Sequence, residues 1–179
     1  MRSETTVSNT PAQDHPTPDR AAQLLDRVAS LYSITLCEHA DIRSRLANLG
    51  LEDACVLDAF NAGYSNGTLL NTIPARGTLR SELGALGILG RKGRKLVEEF
   101  TGHITFPVLD ANGNTSGIMA ERPDLDAADM LTVPAEGLHI WNRAAARRHT
   151  DLLLTGSVLD ALALFVSGVE NTVAAPRDS

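Results

Sequence analysis

The sequence predicts an α+β fold: a helical and β-hairpin N-terminal part over residues 20–142, followed by an incomplete parallel α/β segment over residues 143–179. Three observations carry that expectation. Apolar side chains recur at three- and four-residue spacing from Leu24 to Leu36, the period of an amphipathic helix. After Phe100 the period drops to two on both sides of Asn112-Gly113, which marks a hairpin. An apolar run, an apolar helix and a second apolar run then follow within residues 152–175, the pattern of a parallel βαβ unit with a right-handed crossover.

Composition bounds what the chain can be. At 179 residues and 43% apolar side chains there is material for a packed core, built mainly from Leu, Val, Ile and Ala because aromatics are only 4%. No apolar run approaches the roughly 18–20 residues that span a bilayer, and the N-terminus carries no apolar stretch of a secretory signal. Two cysteines, Cys37 and Cys55, make no disulfide framework. A cytoplasmic protein with no membrane partner is the expectation. The net charge is −6, from 16 Lys and Arg against 22 Asp and Glu. Nucleic-acid contact must therefore come from a local basic patch, against the overall field.

The elements follow in order. Residues 1–19 are rich in Ser, Thr, Pro and Asp without periodicity, and read as a disordered arm. Asp19 is expected to cap the first helix, which carries Leu24, Leu25, Val28, Leu31, Tyr32, Thr35 and Leu36 on one side. A second helix is expected from Asp41 to Asn48, stopped by Gly50, and a third over residues 53–60. Gly63, Asn66 and Gly67 mark a loop. Residues 74–100 read as two short helices separated by GILGRKG. The stretches HITFPVL and TSGIMAER form the hairpin around Asn112-Gly113, whose residues tolerate positive φ at both turn positions. Residues 123–140 read as loop, and a short Ala- and Arg-rich helix follows Asn142. LLLT, residues 152–155, reads as a strand buried on both faces. A helix over 157–167 with Val158, Leu159, Leu162, Phe165 and Val166 inward, ended by Gly168, precedes the strand ENTVAA, residues 170–175. Two parallel strands make a poor sheet alone, and the expectation is that the rest of an α/β domain is missing.

Several clusters carry candidate chemistry. Arg91, Lys92, Arg94 and Lys95 could contact phosphates, with Gly90 and Gly93 allowing close backbone approach; a solvated charged loop is the plain alternative. Arg143, Arg147 and Arg148 form a second basic group, expected to be simply solvated. Trp141 with His139 could stack a base, although a core anchor fits Trp141 better. Cys37, His39 and Cys55 lack the paired spacing and the fourth ligand of a zinc site, so the cysteines are expected in the core. Thr155-Gly156-Ser157, between a strand and a helix, is similar to anion-binding turns but too short to define a nucleotide site.

Four of these segments, in this order, resemble the catalytic core of bacterial DnaG-type DNA primases and the primase-like proteins of mobile elements. They are LLDRVASLY, then RLANLGLEDACVLDAFNAGYS, then FTGHITFPVLDANGNTSGIMAER, then LLLTGSVLDALALFVSGVENTVAA. The third is similar to the family's F-R-G-R-I-x-F-P-I hairpin, and the fourth to the opening of a TOPRIM domain, E-G-x-x-D. The resemblance covers about residues 20–175 and implies RNA-primer synthesis by a Mg2+-dependent nucleotidyltransferase.

Departures from the family pattern change that implication. The first TOPRIM carboxylate belongs four residues before Asp160, where this chain has Gly156, which offers no side-chain ligand. The family's later D-x-D pair is not reached. Mg2+ is thus implied by resemblance alone, with an incomplete ligand set, and no catalytic residue is assigned. Arg122 matches the arginine closing the family's hairpin; Thr101-Gly102-His103 stands for R-G-R, and Asp129 for a lysine. The expected function is a non-catalytic primase-like module binding single-stranded DNA or RNA, or a replication protein, through Arg91, Lys92, Arg94, Lys95 and Arg122. The alternatives are half of a split or truncated primase completed by another chain, and a decayed remnant. Gly156 and Asp160 would be vestigial in any of the three.

Overall fold

Thr17 caps the first helix, its Oγ1 accepting the Arg20 N–H at 3.4 Å, and Pro18 occupies a first-turn position that needs no donor. The resulting α1 (Pro18–Glu38) begins before Asp19 because Pro18 is already preset for helix. Asp19, expected as the cap, instead lies in the first turn, beside the positive end of the helix dipole. The computed structural model describes residues 15–123, 130–135, 137 and 139–176. The expected arm lies outside the described residues up to position 14, and Pro18 and Asp19 belong to α1. Asp129 also lies outside them.

Two further helices follow, α2 (Ala40–Asn48) and α3 (Ala54–Ala59), the latter capped by the Asp53 side chain on the Cys55 N–H at 2.8 Å. Gly63 and Tyr64, expected in a loop, form a two-residue strand β1 (Gly63–Tyr64), which pairs with β4 (Ile104–Leu109). A Cβ on Gly63 would stand 2.6 Å from the Tyr32 Cβ, so only glycine lets this strand lie so close to α1. The helices α4 (Leu69–Thr72) and α5 (Leu79–Ala85) come next, and a two-pronged Arg20–Glu82 ion pair at 3.2 and 3.1 Å ties α5 to α1.

The second helix expected before residue 100 is a hairpin instead: β2 (Leu89–Lys92) pairs antiparallel with β3 (Lys95–Glu98). Glycine conformation decides this. Gly87 at φ +84 turns the chain out of α5, and Gly93 at φ +64 takes the first central position of a two-residue turn, the type II′ arrangement.

The main sheet has order β1-β4-β5-β6, with β5 (Thr115–Glu121) central and β6 (Leu131–Val133) arising within the segment expected to be loop. The β4–β5 turn is longer than a two-residue hairpin. Asp110 accepts the Asn112 and Asn114 N–H groups at 2.8 and 2.9 Å, and the register shifts at Val108/Leu109. Gly113 takes positive φ; Asn112 does not. Asp110 is held below the usual carboxylate range, chiefly by the Asn114 backbone N–H.

Strand alternation divides the core. Ile104, Phe106, Val108 and Met119 face one side with Leu46, Trp141, Val158 and Leu162; Ile118 and Ala120 face the other with Leu24, Val28, Leu83 and Phe100. Each of these larger side chains contributes roughly 1.5–3 kcal/mol by leaving water. The expected helix after Asn142 is a 3-10 helix over Arg143–Arg147. β7 (Leu153–Thr155), α6 (Val158–Val166) and β8 (Thr172–Ala174) form the βαβ unit, with the two strands parallel as expected. Its helix shares the core of the main sheet through Val158, Ala161 and Leu162. β7 itself is not buried on both faces. Leu152, Leu153 and Leu154 are 44%, 44% and 65% exposed, because among the described residues β8 is its one partner and α6 covers one face. Within α6, Val166 is exposed rather than inward.

Candidate nucleic-acid interface

Arg91, Lys92, Arg94 and Lys95 stand together at the tip of the β2–β3 hairpin, all exposed. Lys92 and Lys95 sit directly opposite each other across the ladder, an arrangement of like charges that repels. Among the described residues none of the four makes an ion pair, and Arg20–Glu82 is the one salt bridge formed. The tip therefore offers four uncommitted cations. Gly93 leaves open space around its backbone, as a phosphate contact would need. Gly90 does not: the Glu99 side chain lies where a Cβ would stand, so close backbone approach is blocked there.

Arg122 follows β5 and is exposed, its Nη2 3.8 Å from where a Cβ on Gly102 would stand. The turn beneath it is built inward. Thr101 Oγ1 donates to the Glu98 carbonyl at 2.9 Å, and the buried His103 ring sets Nδ1 3.0 Å from the Phe100 carbonyl. His103 thus braces the turn and leaves Arg122 as the outward cation. The basic tip and Arg122 are on different hairpins, and among the described residues no hydrogen bond or ion pair joins them. Lys95 and Glu98 are three positions apart in β3, about 10 Å of extended chain.

The end of β7 is organised around a residue the sequence did not single out. Glu121, 3% exposed, points at the start of α6, where its carboxylate accepts the Ser157 Oγ–H at 2.7 Å and the Val158 N–H. Ser157 caps the helix through its Oγ, which accepts the Asp160 N–H at 3.1 Å. Burial raises the Glu121 carboxyl above its ordinary range, against the lowering effect of these donors, and the nearby Asp160 charge adds to the rise. The helix N-terminus, expected as a weak anion-binding turn, is thus occupied by the chain's own anion. Asp160 is exposed in the first turn of α6, and Gly156 presents backbone alone at the strand end.

Thirteen chains of solved structures match this architecture, among them several primase cores. The DnaG primase catalytic domain bound to ssDNA shares 21% identity over 87% of this chain and 55% of its own, with a TM-score of 0.73. The Aquifex aeolicus primase zinc-binding and RNA polymerase domains share 20% identity over 92% of this chain and 44% of theirs, at 0.71. The RNA polymerase domain of Mycobacterium tuberculosis primase DnaG, in complex with a double-stranded DNA oligomer with a 6-nucleotide overhang, shares 22% over 92% and 56%, at 0.73. The chain has the DnaG primase core fold. It spans about half the length of the solved primase chains it matches. No protein-family model and no curated protein matches it.

Within this primase fold, the carboxylates at the β7 end do not fit a divalent ion. Both Glu121 oxygens are engaged by helix donors, Asp160 is the remaining acid, and Gly156 supplies no side chain. Among the described residues no three His, Cys, Asp or Glu side chains group closely enough to hold a metal. Cys37 and Cys55 are exposed, contrary to the core placement expected, because both fall on the outward sides of their helices. His39 turns its Nδ1 to the Thr35 carbonyl at 2.7 Å. Trp141 is a buried anchor against Phe60 and Phe106, and His139 binds the Pro134 carbonyl, so neither offers a stacking face. No described helix is long and apolar enough to cross a membrane.

Proposed function

We propose that this primase-fold chain is a binding module for single-stranded nucleic acid that works without metal-dependent polymerisation. The β2–β3 tip supplies the phosphate contacts through Arg91, Lys92, Arg94 and Lys95, and Arg122 supplies a further one. The observation that carries the reading is the tip itself: four exposed cations that form no ion pair among the described residues, on a protein of net charge −6. Two of the matched primases were solved with DNA, which supports the same assignment. Glu121 and Gly156 support the absence of polymerase chemistry, since they leave Asp160 as the one uncommitted carboxylate at the strand end for Mg2+.

Fluorescence anisotropy with single-stranded DNA and RNA, at two salt concentrations with and without Mg2+, tests this reading. Salt-sensitive binding that ignores Mg2+ is expected. Arg91→Ala with Lys92→Ala should weaken it and make the salt slope shallower by about 1.4, at roughly 0.7 per lost phosphate contact on a single strand. Unchanged affinity and slope would remove the tip from the interface.

A second reading is favoured by one observation, the leucine-rich edge of β7, unpaired among the described residues. It makes the chain half of a split or truncated primer-synthesising primase, with a complementing chain or replication protein continuing the sheet. Gly156 weighs against it, because the partner would also have to supply the first carboxylate. A clean monomer by light scattering would refute this second reading.

A further inference from the structure

The two faces of the β2–β3 hairpin differ in what they carry. Leu89 and Glu98, opposite each other in the register, are buried, and Leu96, opposite Arg91, packs against the core. The other face turns outward, with Gly90 opposite Val97 and Lys92 opposite Lys95. Glu99 continues the ladder one residue past β3, its N–H donating to the Ile88 carbonyl at 3.0 Å. Two positions on from Val97, its side chain belongs to the outward face, and its carboxylate lies over Gly90 in the space a Cβ there would fill. The glycine admits a carboxylate, where the sequence suggested a phosphate.

Glu99 is exposed, and among the described residues its side chain forms no hydrogen bond or ion pair. The fold therefore makes no use of this charge. Gly90 and Lys92 are two positions apart, about 7 Å of strand, so the carboxylate lies within the screening length of the lysine pair. A phosphate held by Lys92 and Lys95 feels its repulsion, and one placed over Gly90 meets it directly.

We infer that Glu99 is a specificity-determining residue of the nucleic-acid tip, one that bars the phosphate backbone from the Gly90 end of the hairpin. This rests on the tip reading above and adds the direction of the strand. A strand lying along the hairpin would carry its phosphates from the lysine pair onto the carboxylate. A strand crossing the turn meets Lys92, Arg94 and Lys95 and avoids it.

The test compares single-stranded DNA binding, by fluorescence anisotropy, in the full chain and its variants. Glu170→Gln is the control, an exposed acid beside β8 whose loss changes the net charge equally. Removing one charge about 7 Å from a phosphate changes affinity by about two- to threefold at low salt. Glu99→Gln should tighten binding by that factor and lose most of the gain at physiological salt. Glu99→Lys opens the blocked position. It should tighten binding more than about tenfold and steepen the salt slope by about 0.7, one added phosphate contact on a single strand. Glu99→Gln binding no tighter than Glu170→Gln, or Glu99→Lys with the parental slope, overturns the inference. Weaker binding in Glu99→Gln also overturns it, by making Glu99 a support of the hairpin. Arg91→Ala with Lys92→Ala separates the two readings. If that variant binds like the parent, the tip is not the interface and both fall. If it weakens binding while Glu99→Gln matches Glu170→Gln, the role of Glu99 alone falls.

Discussion

Glu121→Ala is the substitution that most directly asks whether the strand end is structural. The Glu121 carboxylate accepts from the Ser157 hydroxyl and the Val158 N–H, with the Leu159 N–H also directed at it. Truncation orphans these donors at a buried helix start, at about 1–3 kcal/mol for each group left without a partner. Removing a charge that is itself poorly solvated offsets part of that loss, which leaves a net destabilisation of roughly 2–4 kcal/mol. For a chain of this length each kcal/mol moves the midpoint by about 2–4 °C, so thermal unfolding followed by circular dichroism should show a drop of about 4–16 °C.

The pH dependence carries an independent signature. Because the folded value of Glu121 is raised, the folded chain holds its proton in a window where the unfolded chain has released it. The stability linked to this group is greatest below the ordinary carboxylate value. It falls as pH rises through that value and is fully lost above the folded one. Glu121→Gln keeps the shape and one acceptor, and should remove this pH-linked component while costing less than the alanine. A midpoint unchanged in Glu121→Ala, with the same pH profile as the parent, would refute the capping argument. It would also reopen Glu121 as a free ligand.

Two further substitutions probe the contact between α1 and the sheet. Tyr32 is 2% exposed, and its hydroxyl lies beside the Ser65–Glu98 hydrogen bond, near both side chains but outside good hydrogen-bond geometry to either. Burial, and then the Glu98 charge, raise the phenol well above its usual range. Tyr32→Phe is expected to be neutral or stabilising by about 1–2 kcal/mol in urea unfolding, since an unsatisfied buried hydroxyl disappears; a clear loss of stability would show that the phenol does bond to that pair. Gly63→Ala should cost about 1–3 kcal/mol by overpacking, because the new methyl meets the Tyr32 Cβ at 2.6 Å and Thr105 Oγ1 at 2.7 Å. A midpoint within experimental error of the parent would mean that β1 and α1 separate at little cost.

What the sequence reveals and conceals follows from the range of the interactions involved. The span of α1 is legible because its burial depends on its own 3.6-residue period, and the β4–β5 hairpin because alternation flanks a turn dipeptide. The β2–β3 hairpin is hidden. Gly87 and Gly93 punctuate a helix pair as readily as a strand pair, and only four residues on each side carry the alternation. Exposure of LLLT is hidden as well, since an all-apolar strand reads as buried whether or not its second face has been covered. Glu121 is the clearest case. Nothing local distinguishes it from the exposed Arg122 beside it, and its role exists because a helix start 36 residues later comes to rest on it. A hint lies in the burial of β5 at alternate and intervening positions, which leaves no solvent face for an acid at its end.

The basic tip was legible by composition, yet its geometry supplies the stronger argument. A two-residue turn sets Lys92 against Lys95, and like charges opposite each other weaken a ladder that is only four residues long. Folding alone would be better served by an acid at either position. Glu98, the nearest acid in β3, is instead buried at the far end of the strand, where it accepts the Ser65 hydroxyl and, at 3.0 Å, the Leu69 N–H. About 10 Å of strand separates it from Lys95, close to the screening length at physiological salt, so its charge does little for the tip. Glu99, just after β3, lies nearer, its carboxylate over Gly90 beside Arg91, yet none of the four cations forms an ion pair among the described residues, and the Lys92–Lys95 pairing keeps its cost within a protein that is acidic overall. An external polyanion relieves that cost, and its arrival removes the repulsion between Lys92 and Lys95 along with the counterions it displaces.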